Sequence, residues 1–167
     1  VAEFSQDKWR HELELYQPDI VGISILSLDA PYGMEIARLA KEVDPGVLTV
    51  FGGAHATELP ELCLRHSDIV VQGEGEETFY EIVQGHALET IDGICYLRNG
   101  EPVANPPRSL IKDLDSLPLP LYSVFDMERY VGKGERHFGK GMGSGTVLGS
   151  RGCPFECSYC HNHIFNN

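Results

Sequence analysis

Hydrophobic positions in this chain change period along its length, and each change marks the border of a helix or a strand. Residues 5–16 repeat at helical spacing, with Trp9, Leu13 and Tyr16 on one face and Pro18 closing the pattern. Ile20 to Leu26 is a nearly continuous apolar run, as in a strand covered on both faces. Residues 30–43 return to helical spacing. Pro31 falls in the first turn, Ile36, Leu39, Ala40 and Val43 share a face, and Asp44-Pro45-Gly46 stops the pattern. Val47 to Phe51 predicts a second buried strand, followed by Gly52-Gly53. Thr57 is placed to cap a helix carrying Leu59, Leu62 and Cys63. Asp68 to Gln72 predicts a third strand, then Gly73-Glu74-Gly75-Glu76 and a helix that groups Phe79, Ile82 and Val83. Ile91 to Arg98 predicts a last strand, with Asn99-Gly100 as a tight hairpin turn toward Val103.

Strands alternating with helices build a parallel sheet with right-handed crossovers. The expected fold is therefore α/β, a flavodoxin-like (Rossmann-like) doubly wound parallel sheet. Such a fold opens on a strand, whereas this chain opens on a helix, so the first strand is expected upstream of Val1. Pro102, Pro106, Pro107, Pro118 and Pro120 then exclude regular structure over most of residues 99–125, and residues 132–145 hold six glycines. The expected organisation is an α/β domain over 1–98 and a Pro/Gly-rich linker over 99–145. From the apolar stretch Thr146-Val147-Leu148, residues 146–167 are expected to start a second domain, a β/α barrel that continues past Asn167.

Charge narrows the partners. With 13 Lys+Arg against 25 Asp+Glu, the net charge is -12, and such a surface repels phosphate backbones. General nucleic-acid binding is not expected on that ground. No apolar run approaches the roughly 20 residues that span a bilayer, and the first residues lack a basic-then-apolar leader. The five cysteines are odd in number and three are clustered, which fits metal ligation in a reducing compartment, and hence a cytoplasmic location, better than a disulfide framework.

The clustered three carry the most specific chemistry. They stand as Gly152-Cys153-Pro154-Phe155-Glu156-Cys157-Ser158-Tyr159-Cys160. This spacing is too tight for one helix face, but a loop can turn all three thiolates inward. Gly149 and Gly152 let the backbone approach a bound group, and Pro154 stiffens the turn. A cubane iron–sulfur cluster normally takes four cysteines, so three leave one iron with an open position. Tyr159 is an aromatic able to lie against a planar ligand. The competing reading is a zinc knot of Cys157, Cys160, His161 and His163, a spacing without the usual distant second ligand pair.

Behind a short strand, Cys153, Cys157 and Cys160 resemble the signature of radical S-adenosylmethionine (SAM) enzymes. The resemblance implies that the three hold a [4Fe-4S] cluster, that SAM chelates the open iron, and that reductive cleavage yields a 5′-deoxyadenosyl radical. It places Tyr159 near the adenine. A reductant protein such as flavodoxin or ferredoxin is implied with it.

Three upstream segments carry a second resemblance. Val21 to Ser27, Phe51 to Thr57 and Gly73 to Phe79 are similar to the successive strand-end loops of cobalamin-binding domains fused to radical SAM barrels. Open α/β sheets bind ligands beyond the carboxyl ends of their strands, which is where these segments fall. The residues implied to bind cobalamin are Ser24, Leu26, Ser27, Gly52, Gly53, His55, Gly73, Glu74, Gly75 and Glu76. Each has a plainer role beside it. Ser24 and Ser27 are equally placed to cap the following helix; His55 either faces the corrin or opens a helix bonded to backbone. Glu74 and Glu76 contact cofactor amides or complement a helix dipole, and Gly73 and Gly75 form turns. Cys63 and Cys95 are expected as small core residues, and His11, His66 and His86 on the surface. The Asp-x-His-x-x-Gly motif of domains that ligate cobalt through histidine is not in this sequence.

The two resemblances imply a cobalamin-dependent radical SAM enzyme, class B methyltransferase-like, moving a methyl group to an unactivated carbon of a small-molecule or natural-product-like substrate. A radical SAM cyclase or rearrangement enzyme on the same scaffold is the nearest alternative. A non-catalytic flavodoxin-like binding module with a zinc-binding tail is the other. By itself this stretch is expected to be inactive, because the remaining barrel would lie past Asn167.

Overall fold

The computed structural model describes residues 5–125, 127, 150–155, 157, 158 and 160. The chain divides into two compact units, residues 1–110 and 111–167.

The first unit is built on five strands and five α-helices. Helix α1 (Gln6–Tyr16) starts at Ser5, whose hydroxyl accepts the Lys8 N–H, and ends at Gln17, whose left-handed φ of 45° returns its N–H to the Leu13 carbonyl. Leu13 alone of its expected stripe is buried, while Trp9 and Tyr16 are exposed. Strand β1 (Ile20–Ser24) leads to α2 (Ala30–Val43), and β2 (Leu48–Gly52) leads to two short helices, α3 (Ala54–Glu58) and α4 (Pro60–Cys63). Strand β3 (Ile69–Val71), α5 (Glu76–Val83) and the hairpin β4 (Ile94–Arg98) and β5 (Glu101–Ala104) complete the unit.

The strands lie in sequence order, β1-β2-β3-β4-β5. The first three are parallel, as expected from alternation with helices. The last two are antiparallel. After α5 and a 3₁₀ turn (Leu88–Thr90) the chain returns to the edge where β3 ended. Ile94 lies opposite Val71, and Gln72 donates its N–H to the Gly93 carbonyl at 2.8 Å. Asn99 and Gly100, with φ of 54° and 85°, supply the two left-handed residues of a tight hairpin. Pro102 is tolerated in β5 because, among the described residues, that strand pairs only with β4.

Alternation along the strands divides the core between two faces. Phe51, Val70 and Cys95 pack with Ile25, Ala37, Ala56 and Cys63 under α2, α3 and α4. Val50, Ile69, Val71, Ile94 and Tyr96 pack on the other face with Ile82 of α5. A third cluster of Leu13, Leu39, Ala40 and Val47 joins α1 to α2. The sheet is therefore covered on both faces, the defining property of a doubly wound fold. Strand β1 is the exception to its apolar sequence: Gly22 and Ser24, and Leu26 just past its end, are exposed, and among the described residues β1 has a partner only in β2.

In the second unit the described residues form two 3₁₀ turns, Leu114–Ser116 and Tyr122–Val124, around Pro118 and Pro120. Asp113 opens the first by accepting the Asp115 N–H at 3.2 Å. The expected strand at Thr146-Val147-Leu148 lies outside the described residues, as do Tyr159, His161 and His163.

Candidate functional site

Strands β1, β2 and β3 run in one direction, so their carboxyl ends share one edge of the sheet. Ser24 is in register with Gly52, and Gln72 follows directly on β3. That edge gathers Ser24, Leu26, Ser27, Gly52, Gly53, His55, Gly73, Glu74, Gly75 and Glu76. Ser24, Leu26, Ser27 and Glu76 are exposed there and the rest are half-buried.

The three loops are tied together by backbone and side chain. Ile25 donates its N–H to the Gly52 carbonyl at 2.9 Å, and its own carbonyl accepts the His55 N–H at 3.2 Å. Gly53 has φ of 89°, and a Cβ on it would stand 2.8 Å from the Ile25 carbonyl oxygen and 2.9 Å from Ser24 Oγ. The glycine is thus required by the approach of the β1 loop, a reason independent of any ligand. Gly73 differs. Its φ of 73° is also left-handed, but nothing lies within 4 Å of where its Cβ would point. It borders open space.

His55 is bonded to backbone at the start of α3, the second of its two readings. Its backbone N–H is bonded, and its Nδ1 lies 3.1 Å from Ser27 Oγ. Ser27 is thereby engaged in an inter-loop contact and does not cap α2, whose N-cap is Asp29. The other ring nitrogen, Nε2, is buried with no hydrogen-bond partner among the described residues. Buried polar atoms are nearly always paired, and an orphan at a sheet's ligand edge is what a polar group on a bound molecule would complete. An orphaned imidazole and a glycine facing open space fit a corrin with its amide side chains.

Sequence reasoning gave Thr57 only a capping role. It instead sits inside α3, where its hydroxyl donates to the Gly53 carbonyl at 3.0 Å and accepts the Gly73 N–H at 3.0 Å. A threonine four residues after a helix-opening glycine can bond back to that carbonyl. The second bond, across to the β3 loop, has no signal in the sequence. Gln72 was also missed. Its Nε2 donates to the Thr57 carbonyl at 3.2 Å, and its Oε1 accepts the Cys95 thiol at 3.1 Å.

Cys63 and Cys95 are buried core thiols. Burial pushes both up from the ordinary thiol range, and the Glu61 charge adds to the rise at Cys95. Both are packed into the core, as expected of small structural cysteines.

A cleft of about 430 Å³ lies at the opposite, amino edge of the strands, lined by Lys41, Thr49, Arg65, His66 and Asp68 among others. Burial raises the Asp68 carboxyl, but this is outweighed by the Lys41 ammonium at 2.7 Å and by the Thr49 N–H and hydroxyl at 2.8 and 2.9 Å, which hold it below the usual carboxylate value. The Lys41 and Asp68 charges are matched to each other within the protein. The cleft therefore ties α2 to the sheet, and the glycine-lined carboxyl edge remains the better ligand site.

In the cysteine loop none of the three thiols is in a disulfide. Cys157 is exposed and Cys153 and Cys160 are half-buried. Gly152 takes a left-handed φ of 75°, and Cys160 donates its N–H to the Cys157 carbonyl at 2.9 Å. The described residues contain no His, Cys, Asp or Glu group of three already gathered to hold an ion. As a donor set, three accessible thiols on a turning backbone suit a soft iron–sulfur centre, which would itself draw its ligands together. Among the described residues, no helix is long and apolar enough to cross a membrane.

Comparison with known proteins places these features in context. Residues 2–83 match the B12 binding domain family. The chain is 37% identical over 159 residues to the uncharacterized methyltransferase PH0819 of Pyrococcus horikoshii, covering 91% of this chain and 33% of that protein. It is 30% identical over 174 residues to the anaerobic magnesium-protoporphyrin IX monomethyl ester cyclase of Rubrivivax gelatinosus, covering 98% of this chain and 30% of that protein. In fold it resembles the radical S-adenosylmethionine methyltransferase TsrM of Kitasatospora setae, solved with cobalamin and a [4Fe-4S] cluster. The TM-score is 0.51 at 19% identity, covering 68% of this chain and 23% of that one. The chain thus spans about a third of the length of the curated relatives it matches.

Proposed function

From the match of residues 2–83 to the B12 binding domain family we propose that the chain carries the corrin site and the cluster loop of a cobalamin-dependent radical SAM methyltransferase. The reading rests on one coincidence within a single chain: a doubly wound sheet with an unsatisfied imidazole at its ligand edge, followed by the Cys153, Cys157 and Cys160 triad.

When bound, cobalamin supplies a methyl carrier, and a [4Fe-4S] cluster with SAM supplies the radical that activates the acceptor carbon. The chain's own residues bind and orient. Ser24, Leu26 and Ser27 line the β1 side of the corrin site and Gly73, Glu74, Gly75 and Glu76 its β3 side. Gly52 and Gly53 let the β1 and β2 loops pack closely, and the His55 Nε2 is held inward for a polar group of the ligand. Cys153, Cys157 and Cys160 hold three irons, and Tyr159 is assigned to the adenine side of SAM. The substrate is a small, natural-product-like molecule, and a reductant protein such as flavodoxin or ferredoxin supplies the electron. Radical cyclisation on the same scaffold is the second reading, favoured by the similarity to the Rubrivivax cyclase.

The test is anaerobic reconstitution of the full-length protein with iron, sulfide and hydroxocobalamin. Expected are a retained corrin and about four irons per chain with matching acid-labile sulfide. Changing Cys153, Cys157 or Cys160 to Ala removes the iron and leaves the corrin. Bound zinc without sulfide overturns the reading in favour of a binding module with a zinc tail.

A further inference from the structure

We propose that Thr57 is a positioning residue for the corrin site: its hydroxyl ties the loop after β2 to the loop after β3 and so sets the spacing of Gly53 and His55 against Gly73. The inference rests on the corrin reading above and goes beyond it by assigning a residue outside the ligand-lining set.

A helical threonine needs only one bond of this kind. Donation from Thr57 Oγ1 to the Gly53 carbonyl at 3.0 Å is the common return bond to the preceding turn. The helix gains nothing from the second, in which the same oxygen accepts the Gly73 N–H at 3.0 Å from another loop. Gly73 has a left-handed φ of 73° and nothing lies within 4 Å of where its Cβ would point, so no packing on that side holds it. On the other side, the Gly53 carbonyl also accepts the Thr57 N–H at 3.0 Å, and His55, two residues on, is fixed to the Ile25 carbonyl at 3.2 Å. The path of bonds therefore runs from the β1 loop through α3 to the β3 loop, with the Thr57 hydroxyl as the joint that reaches Gly73 itself. Gln72 buttresses the joint by donating to the Thr57 carbonyl at 3.2 Å while accepting the Cys95 thiol.

A large flat ligand touches several loops at once, so its affinity depends on their spacing being set before it arrives. Thr57→Val keeps the shape and removes both hydroxyl bonds. Thr57→Ser keeps the hydroxyl and removes a methyl. The full-length protein and both variants are titrated with hydroxocobalamin by absorbance, and amide exchange at Gly73 is followed in the corrin-free proteins.

Thr57→Val is expected to weaken binding roughly tenfold and to speed Gly73 exchange, because a half-buried N–H loses its acceptor. Thr57→Ser is expected to restore both to within about twofold. If Thr57→Val does not fold, Thr57→Ala carries the same expectation. Unchanged affinity in Thr57→Val, or equal weakening in Val and Ser, overturns the positioning role while leaving the corrin reading intact. Failure of the unsubstituted protein to bind hydroxocobalamin overturns the corrin reading, and this role with it.

Discussion

At Gly53 two constraints meet on one atom that is not there. The backbone is left-handed, and the space a Cβ would fill is taken by the Ile25 carbonyl and Ser24 Oγ. Gly53→Ala is expected to destabilise the protein by roughly 2–4 kcal/mol, read from urea unfolding, since strain and overlap both contribute. Gly73→Ala meets no such overlap and should cost only the left-handed strain, about 1–2 kcal/mol. Asp68 carries a prediction of another kind. Its folded carboxyl sits below its ordinary value near 3.9, so it contributes stability above that pH and loses it as pH falls through the folded value. Asp68→Asn should lower stability at neutral pH by about 1 kcal/mol, a modest figure because the pair is partly exposed. It should also flatten the fall in melting temperature below pH 4. An unchanged acid profile would remove Asp68 from that role.

Among the elements, those whose pattern reflects near neighbours were legible, and those shaped by distant partners were not. Strand β3 lies within its expected run and β2 is displaced by one residue, to Leu48–Gly52, because both strands have their faces covered. In β1 the same composition gave a half-exposed strand, since sequence does not say how many partners a strand will have. The helix expected from Thr57 became two, broken at Leu59-Pro60, because Pro60 cannot continue a helix from α3 but can open α4. The Pro-rich stretch after Arg98 looked like a connector, yet its first part belongs to the sheet unit. Pro106 accepts the Gly93 N–H at 2.8 Å, and Asn105 bonds the Leu88 and Ile91 carbonyls at 2.6 and 2.7 Å. Arg108 then donates to Thr78 at 2.8 Å and pairs with Glu77 at 3.1 Å and with Glu81, so one guanidinium fastens the segment along α5.

For the molecule as a whole these contacts propose a boundary near Leu110. A chain cut after Leu110 should melt within a few degrees of its parent's first transition. One cut after Arg98 loses the β5 ladder and the Arg108 anchor, and should be destabilised by about 3 kcal/mol or more. Equal melting of the two would place the boundary at 98 instead.

Covalent spacing and local period determined much by themselves. They marked the cysteine triad, the alternation of helices with strands, the hairpin at Asn99-Gly100 and the glycine-rich strand ends, because each is carried by residues adjacent in the chain. Tertiary structure alone decided which strands turn antiparallel, that Gly53 serves a neighbouring loop, that His55 keeps a nitrogen unsatisfied among the described residues, and that Thr57 and Arg108 join distant segments. Those are contacts between residues far apart in sequence. They form only when burial of the apolar faces brings the segments together, so no local pattern records them.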